Sequence, residues 1–283
     1  MSTNEPAKGQ PLATFQIITD THITSDPKHE YNLNFEKALQ DLVANCEGSS
    51  GIMHIGDVTD HGFVEEYTEM LRIVNIYKDQ LPAITFTLGN HDVGLGDWES
   101  RIALYESQTG MNSPYHDHWI DGYHYIFLGT EVGLRTFCDL SNEQLQWLER
   151  KLEEQSSLDK PIFLFLHQPL KDTVAGSLES QEWYGVTQDQ ELKNILAKYP
   201  QALLFTGHTH WELEVDNTMF SGHGKTATMF NSASVAYLWT NDDEHKAGSQ
   251  GFYVEIYHEK VLVRGRNFKT GTWIESAQYE VKY

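Results

Sequence analysis

Five short segments of this 283-residue chain set Asp, Asn or His where an apolar, strand-like run breaks into a loop. In order they are Asp20-Thr21-His22, Gly56-Asp57-Val58-Thr59-Asp60, Gly89-Asn90-His91-Asp92, Leu166-His167-Gln168-Pro169 and Gly207-His208-Thr209-His210. In open α/β sheets, ligands bind beyond the carboxyl ends of the strands. Five strand ends carrying metal-ligand residue types are best used together. Segments 20 to 210 are therefore read as one unit that cannot be divided between independent cores. The expected organisation is a flexible N-terminal lead over 1–14 and a single domain over 15–283.

The apolar pattern supplies the strands and helices between these segments. Phe15 to Thr19, Ile52 to Ile55 and Ala83 to Leu88 read as buried strands. Helices are expected between them over Asn32 to Cys46 and Phe63 to Tyr77, with Leu33, Ala38, Leu39, Leu42 and Val43 at helical spacing in the first. That β-α-β-α-β rhythm predicts right-handed crossovers in a largely parallel sheet. A short helix follows over Glu99 to Thr109, then one or two strands between His118 and Thr130 around Asp121-Gly122. Ser141 to Gln155 reads as a helix with Ser141 and Gln144 in capping-box spacing. Strands at Pro161 to Leu166 and Ala202 to Thr206 flank a helix over Gln188 to Lys198. Ala227 to Phe230, Ser234 to Leu238, Gly251 to Tyr257 and Val261 to Arg266 then read as strands. The expected fold is α/β: a four-layer αββα sandwich of two mixed β-sheets flanked by helices.

The residue types in the five segments are those of a two-cation site. Asp20 and His22 can reach one cation, and Asp57 can use its two oxygens to bridge a pair. Asn90 offers a neutral amide oxygen, His167 and His208 complete the second site, and His210 returns to the first. Mixed nitrogen and oxygen ligands suit two divalent or trivalent transition-metal ions, with Mn, Fe and Zn foremost, rather than Mg or Ca. His91 is placed to face a substrate while Asn90 faces the metal. Asp60 is the candidate carboxylate supporting a protonated His91, its competing reading being a helix cap. Of the 14 histidines, His54 reads as a core residue, and His29, His116, His118, His124, His223, His245 and His258 follow no ligand spacing. His61 is near the centre without an evident partner.

Composition narrows the partners. Lys+Arg of 20 against Asp+Glu of 41 gives a formal net charge of −21, which repels a phosphate backbone, so no nucleic-acid polymer is expected as partner. Two cysteines, Cys46 and Cys138, are too few for a Cys-based metal site. No run of about 18 apolar residues is present, so no transmembrane segment is expected. Met1 to Thr14 is polar and lacks the apolar stretch of a signal peptide. A cytoplasmic protein is expected, the alternative being an exported or lipid-anchored one whose signal has been removed.

These motifs resemble those of the calcineurin-like metallophosphoesterases, whose signature D-x-H, G-D-x-x-D, G-N-H-D/E, H and G-H-x-H stands here in order between Phe15 and His210. The resemblance implies a first metal on Asp20, His22, Asp57 and His210, and a second on Asp57, Asn90, His167 and His208. It implies His91 as the acid that protonates the leaving group, oriented by Asp60. The protein phosphatase branch continues its second motif with Arg and Gly, and that Arg grips a phosphate dianion; here the position is His61. Losing a forked, permanently charged donor weakens capture of a monoester more than of a singly charged diester. The purple acid phosphatase branch carries a Tyr after its bridging Asp; here the matching place is Thr59 or Asp60, which disfavours that branch. The pattern is most similar to the bacterial phosphodiesterase branch that includes class III cyclic-nucleotide enzymes.

The expected activity is hydrolysis of phosphodiester bonds in a small phosphoester by a hydroxide bridging two metal ions. The alternative is a phosphomonoesterase or nucleotide pyrophosphatase on the same site. Lys171 to Thr187, with Trp183 and Tyr184, reads equally as a substrate lid or an apolar plug.

Overall fold

The computed structural model describes residues 9–283. Most of the expected N-terminal lead, residues 1–8, lies outside the described residues. The first sheet contains β1 (Ala13–Ile18), β2 (Ile52–His54), β3 (Ile84–Phe86), β12 (Gln250–Ile256), β13 (Lys260–Asn267) and β14 (Thr272–Lys282). Its order is β14-β13-β12-β1-β2-β3; β1, β2 and β3 run parallel, and β12 turns the sheet antiparallel by pairing with β1. The second contains β4 (His116–Ile120), β5 (Tyr123–Phe127), β6 (Ile162–Phe165), β7 (Ala202–Thr206), β8 (Met219–Phe220) and β9 (Thr228–Asn231), in the order β4-β5-β6-β7-β9-β8. Strands β5, β6, β7 and β9 are parallel. Strands β10 (Leu238–Trp239) and β11 (His245–Lys246) form a small separate ribbon.

Period-two alternation separates the layers. From β1, Phe15 and Ile17 join Phe163 and Phe165 of β6 and Leu203 and Phe205 of β7 between the sheets. Ile162, Leu164, Ala202 and Leu204 point outward, beneath α5 (Asn142–Glu153) and α6 (Asp189–Leu196). Ile18, Ile52 and Phe86 face α1 (Glu30–Asn45), α2 (Val64–Tyr77), the single-turn α3 (Asn90–Val93) and α4 (Trp98–Thr109). These three apolar contacts are the interfaces of an αββα sandwich. Across the parallel register, Phe127, Phe165, Phe205 and Phe230 stack at centroid spacings of 4.6, 5.8 and 5.1 Å. Phe15 meets this ladder edge-on, 6.2 Å from Phe165 and 6.3 Å from Phe205.

Several local expectations change. Leu33 is half exposed, whereas Asn32 and Asn34 are buried because their amides are hydrogen-bonded, Asn34 Nδ2 donating to the Ala236 carbonyl at 2.8 Å. Ser141 caps α5 by accepting from Gln144 N at 3.1 Å, but the Gln144 side chain completes no capping box. It pairs instead with both backbone groups of Gly129. Helix α2 is capped from Phe63, with Glu66 accepting from His61 N and Phe63 N, so Asp60 is not its cap. Ser234 to Tyr237 is a loop rather than a strand, because the Ser234 hydroxyl and Ala236 N both donate to the Asp20 carbonyl. Cys46 and Cys138 are both free and buried. Among the described residues no helix is long and apolar enough to cross a membrane.

One buried ion pair ties α1 to the antiparallel half of its sheet. Arg266 forks onto Asp41 at 3.0 and 2.6 Å, Tyr253 donates to the same carboxylate at 3.0 Å, and Trp273 packs 4.7 Å from the guanidinium. Arg266→Ala strands a buried carboxylate and is expected to cost about 3–5 kcal/mol, read as a lower denaturant midpoint at unchanged m. A loss below about 1 kcal/mol would show that water reaches Asp41.

Candidate metal centre

The carboxyl ends of β1, β2, β3, β6 and β7 open onto one depression, and each delivers one of the five motifs. Asp20, His22, Asp57, His208 and His210 all have positive φ, between 42° and 70°. Left-handed backbone at a non-glycine residue costs about 1–2 kcal/mol, and five such residues facing one point mark a site where position outweighs stability. Glycine enters where chains nearly touch. A Cβ on Gly207 would collide with Thr19 Oγ1 and Asp20 Oδ2, and one on Gly89 with Asp57 N and Oδ1.

Outer atoms are hydrogen-bonded, and inner atoms converge. Asp20 Oδ2 accepts from Thr19 Oγ1 at 2.6 Å and His208 N at 3.0 Å, leaving Oδ1 to face His210 Nε2 at 2.9 Å and His22 Nε2 at 3.7 Å. Asp57 Oδ1 accepts from His91 N at 2.7 Å. The other oxygen of Asp57 lies 3.1 Å from His167 Nε2 and 3.8 Å from His22 Nε2. His167 Nδ1 donates to the Ile55 carbonyl at 2.6 Å, and His22 Nδ1 to Asp60 Oδ1 at 3.2 Å, so both rings turn Nε2 inward. Asn90 Nδ2 donates to the Arg135 carbonyl at 3.0 Å, which fixes which amide atom faces Gln168. Such outer partners orient metal ligands and set histidine tautomers.

Two compact donor groups result: Asp20, His22 and His210, and Asp57, His167 and His208, all buried. Asp20 Oδ1, His167 Nε2 and His210 Nδ1 are buried without a hydrogen-bond partner. Each such atom costs about 1–3 kcal/mol unless something satisfies it. Burial raises the Asp20 and Asp57 carboxyls, yet the histidines around them, His210 and His167 foremost at Asp20 and His167 and His91 at Asp57, hold both below the usual carboxylate range. Burial lowers His22 and His167, but the carboxylates overcome it and push them up to about 10 and about 9. Burial, reinforced by His167, pushes His208 down to about 3. Two buried carboxylates thus call for compensating positive charge, which cations at these groups would supply by displacing the His22 and His167 protons. The donor chemistry and the unsatisfied atoms fit transition-metal ions. A further carboxylate–histidine group, Asp117, His124 and Glu154, is already neutralised by Lys151, 3.2 Å from Asp117 and 3.0 Å from Glu154.

His91 is one-third exposed at the rim, edge-on to His22 at 4.5 Å. Its Nδ1 donates to the backbone carbonyl of Asp60 at 2.7 Å; the Asp60 carboxylate is 4.0 Å away and bonded to His22. The expected Asp60–His91 pairing therefore runs through the main chain. His61 has two partners, Asp60 Oδ2 and Glu66 Oε1, each at 3.2 Å. His54 is a core residue, bonded to Thr21 Oγ1 at 2.9 Å and pushed down to about 3 by burial.

The cavity above these groups has a volume of about 760 Å³, lined also by Arg135, Trp183, Tyr237 and Trp239. The 171–187 segment divides its roles. Val174 to Ser177 is buried against Thr209 and Asn217, whereas Trp183 stands half exposed with its ring 6.0 Å from His208. Several contributors have no sequence signal of their own: Thr19 on Asp20, Gln168 on Asn90, and Tyr237, tilted 4.4 Å from His210. Asp92 could have been singled out from its motif. Its buried carboxyl accepts from the backbone of Val58, Thr59 and Gly89, and burial, with Asp57 next, pushes it up to about 6.

The family model described as calcineurin-like phosphoesterase matches residues 13–212. A 3′,5′-cyclic adenosine monophosphate phosphodiesterase of Escherichia coli is 26% identical over 220 residues, 75% of this chain and 74% of that protein. A probable cyclic nucleotide phosphodiesterase of Synechococcus is 26% identical over 248 residues, 82% of this chain and 88% of that protein. Among solved structures, a dimetal phosphatase from Danio rerio superposes with a TM-score of 0.70 at 14% identity, covering 97% of this chain and all of that one. A purple acid phosphatase from yellow lupin gives 0.68 at 14% identity, over 95% of this chain and 53% of its own. At that identity both likenesses are of the fold.

Proposed function

Because the chain belongs to the calcineurin-like phosphoesterase family and is a metal-dependent phosphoric ester hydrolase, we propose that it cleaves phosphodiester bonds with two metal ions sharing Asp57. The observation that carries this reading is Asp57 Oδ2, within 4 Å of histidine Nε2 atoms from both donor groups. Asp20, His22, Asp57 and His210 would hold one ion, and Asp57, Asn90, His167 and His208 the other. The sequence left both Asp57 oxygens available for holding ions; with Oδ1 engaged by His91 N, it is through Oδ2 that Asp57 would hold them. When bound, the ions supply Lewis acidity, which lowers the pKa of water and neutralises charge on phosphate oxygens.

The chain's own groups manage the proton. A carbonyl only accepts, so the Asp60 carbonyl fixes the His91 proton on Nδ1 and leaves Nε2 facing the cavity. A second proton on Nε2 makes His91 a donor to the departing oxygen. The Asp60 carboxylate orients His22 and lies 4.0 Å from His91 Nδ1. Mn, Fe and Zn are the ions these donors suit best. Position 61 is His, and the curated relatives named above are named as cyclic nucleotide phosphodiesterases, which supports a singly charged diester as substrate.

The direct test is steady-state hydrolysis by Mn²⁺-loaded protein of bis(4-nitrophenyl) phosphate against 4-nitrophenyl phosphate. The diester is expected to show the higher kcat/KM, and a chelator to abolish both activities. A higher kcat/KM on the monoester would overturn the diester reading.

A further inference from the structure

The cavity contains one Lys or Arg side chain, and it is not where the family pattern would put it. Of the lining residues only Arg135 carries a permanent positive charge. His61, the position at which a phosphate-gripping Arg was missing, has its Nδ1 between Asp60 and Glu66 and its ring stacked on Phe63 at 5.6 Å. A forked donor therefore cannot come from that side. Arg72, Arg264 and Arg266 are paired with carboxylates, and Arg101 lies on the Phe63 ring. The Arg135 guanidinium is exposed and has no hydrogen bond, ion pair or aromatic face among the described residues.

The backbone beneath Arg135 is held in place. The loop from Thr130 to Asp139 is closed at its base by Glu131 N donating to the Asp139 carbonyl at 3.0 Å and Asp139 N to Thr130 Oγ1 at 3.1 Å. Its tip is fastened to Asn90, whose Nδ2 donates to the Arg135 carbonyl at 3.0 Å. Beyond the tip, Cys138 N donates to the Gly185 carbonyl at 2.6 Å, joining it to the segment that carries Trp183. A free, forked cation thus stands on a braced loop attached to Asn90, the amide proposed to hold the second ion. With a formal charge of −21, the molecule's field opposes an anionic substrate, so a local cation at the mouth has a large relative effect.

We infer that Arg135, from the loop that Asn90 holds, grips the phosphate oxygens and supplies what dianion binding the cavity retains without an Arg at position 61, setting the balance between doubly and singly charged esters. The inference rests on the hydrolase reading above and deepens it. A dianion offers a guanidinium two charged acceptors in fork geometry, whereas a diester monoanion offers less charge and shields it with a second ester group. Whatever monoester turnover the enzyme has depends on this residue.

The test compares wild type, Arg135→Ala and Arg135→Lys, all Mn²⁺-loaded, on the same pair of nitrophenyl substrates, with inorganic phosphate at pH 8 as a competitive probe. In Arg135→Ala the diester-to-monoester ratio of kcat/KM is expected to rise about tenfold or more, and the phosphate inhibition constant to rise with it. Arg135→Lys is expected to fall between, because a point charge lacks the fork. Metal content per chain stays at the wild-type value. Arg150→Ala, which removes an exposed charge on α5 outside the cavity, is expected to leave the ratio unchanged. An unchanged ratio in Arg135→Ala, or an equal rise in Arg150→Ala, overturns the inference and leaves the diester reading standing. A wild type that hydrolyses neither substrate overturns that reading instead.

Discussion

Asp57→Asn is expected to leave the folded protein unable to retain two metal ions and to lower kcat/KM on a nitrophenyl diester by at least about a thousandfold. The substitution keeps the shape of the side chain and changes one atom and one charge. The amide oxygen can still accept from His91 N, as Asp57 Oδ1 does at 2.7 Å, so the Gly89-Asn90-His91 turn has no reason to move. The NH₂ group then occupies the place of Oδ2, the oxygen 3.1 Å from His167 and 3.8 Å from His22. A donor aimed at two cations repels both. The loss should equal the several kcal/mol that metal ions supply to charge stabilisation, each 1.4 kcal/mol being tenfold in rate. Metal analysis after gel filtration should find fewer than two ions per chain, with the circular dichroism of the wild type. Two retained ions together with near-normal activity would remove Asp57 from the bridging position.

That Asp57 and the residues around it could be singled out from sequence follows from where they sit on the strands. Asp20, Asp57, Asn90, His167, His208 and His210 all lie at or just past the end of an apolar strand, and strands that short and that apolar are hard to misplace. The sandwich followed from the same runs, because alternation such as Phe163 and Phe165 inward against Ile162 and Leu164 outward requires a layer on each side. The antiparallel edge was less legible. Strand β14 was not anticipated: over eleven residues only Ile274 and Ala277 are buried, and its pairing with β13 is broken by a bulge between Arg264 and Arg266. Ser234 to Tyr237 alternates like a strand, yet the unpaired carbonyls behind Asp20 claim its hydrogen-bonding groups. Atom-level roles were beyond sequence altogether. Asp60 was identified as the neighbour of His91, but its carboxylate is directed to His22 and its carbonyl to His91. Arg135 lies in a loop whose position depends on an amide proton of Asn90, a contact no spacing encodes.

His91→Gln separates proton transfer from metal binding. Glutamine keeps polar atoms at the rim but cannot carry a proton to the leaving oxygen. His91 Nε2 is 4.0 Å from Asp57 Oδ2, farther than the His167 or His22 nitrogens, and its ring is one-third exposed where those are buried. The variant should therefore hold as much metal as the wild type. Turnover of a diester with an alkyl leaving group is expected to fall about 10²–10⁴-fold, the usual contribution of a positioned acid. With nitrophenolate, which departs without protonation, the fall should be far smaller, so the dependence of kcat on leaving-group basicity becomes steeper than in the wild type. His91 N also steadies Asp57, but that contact belongs to the backbone and survives the substitution. A uniform loss across leaving groups, with metal retained, would mean that His91 acts on the phosphate itself, and the proton would then have to reach the leaving oxygen through solvent.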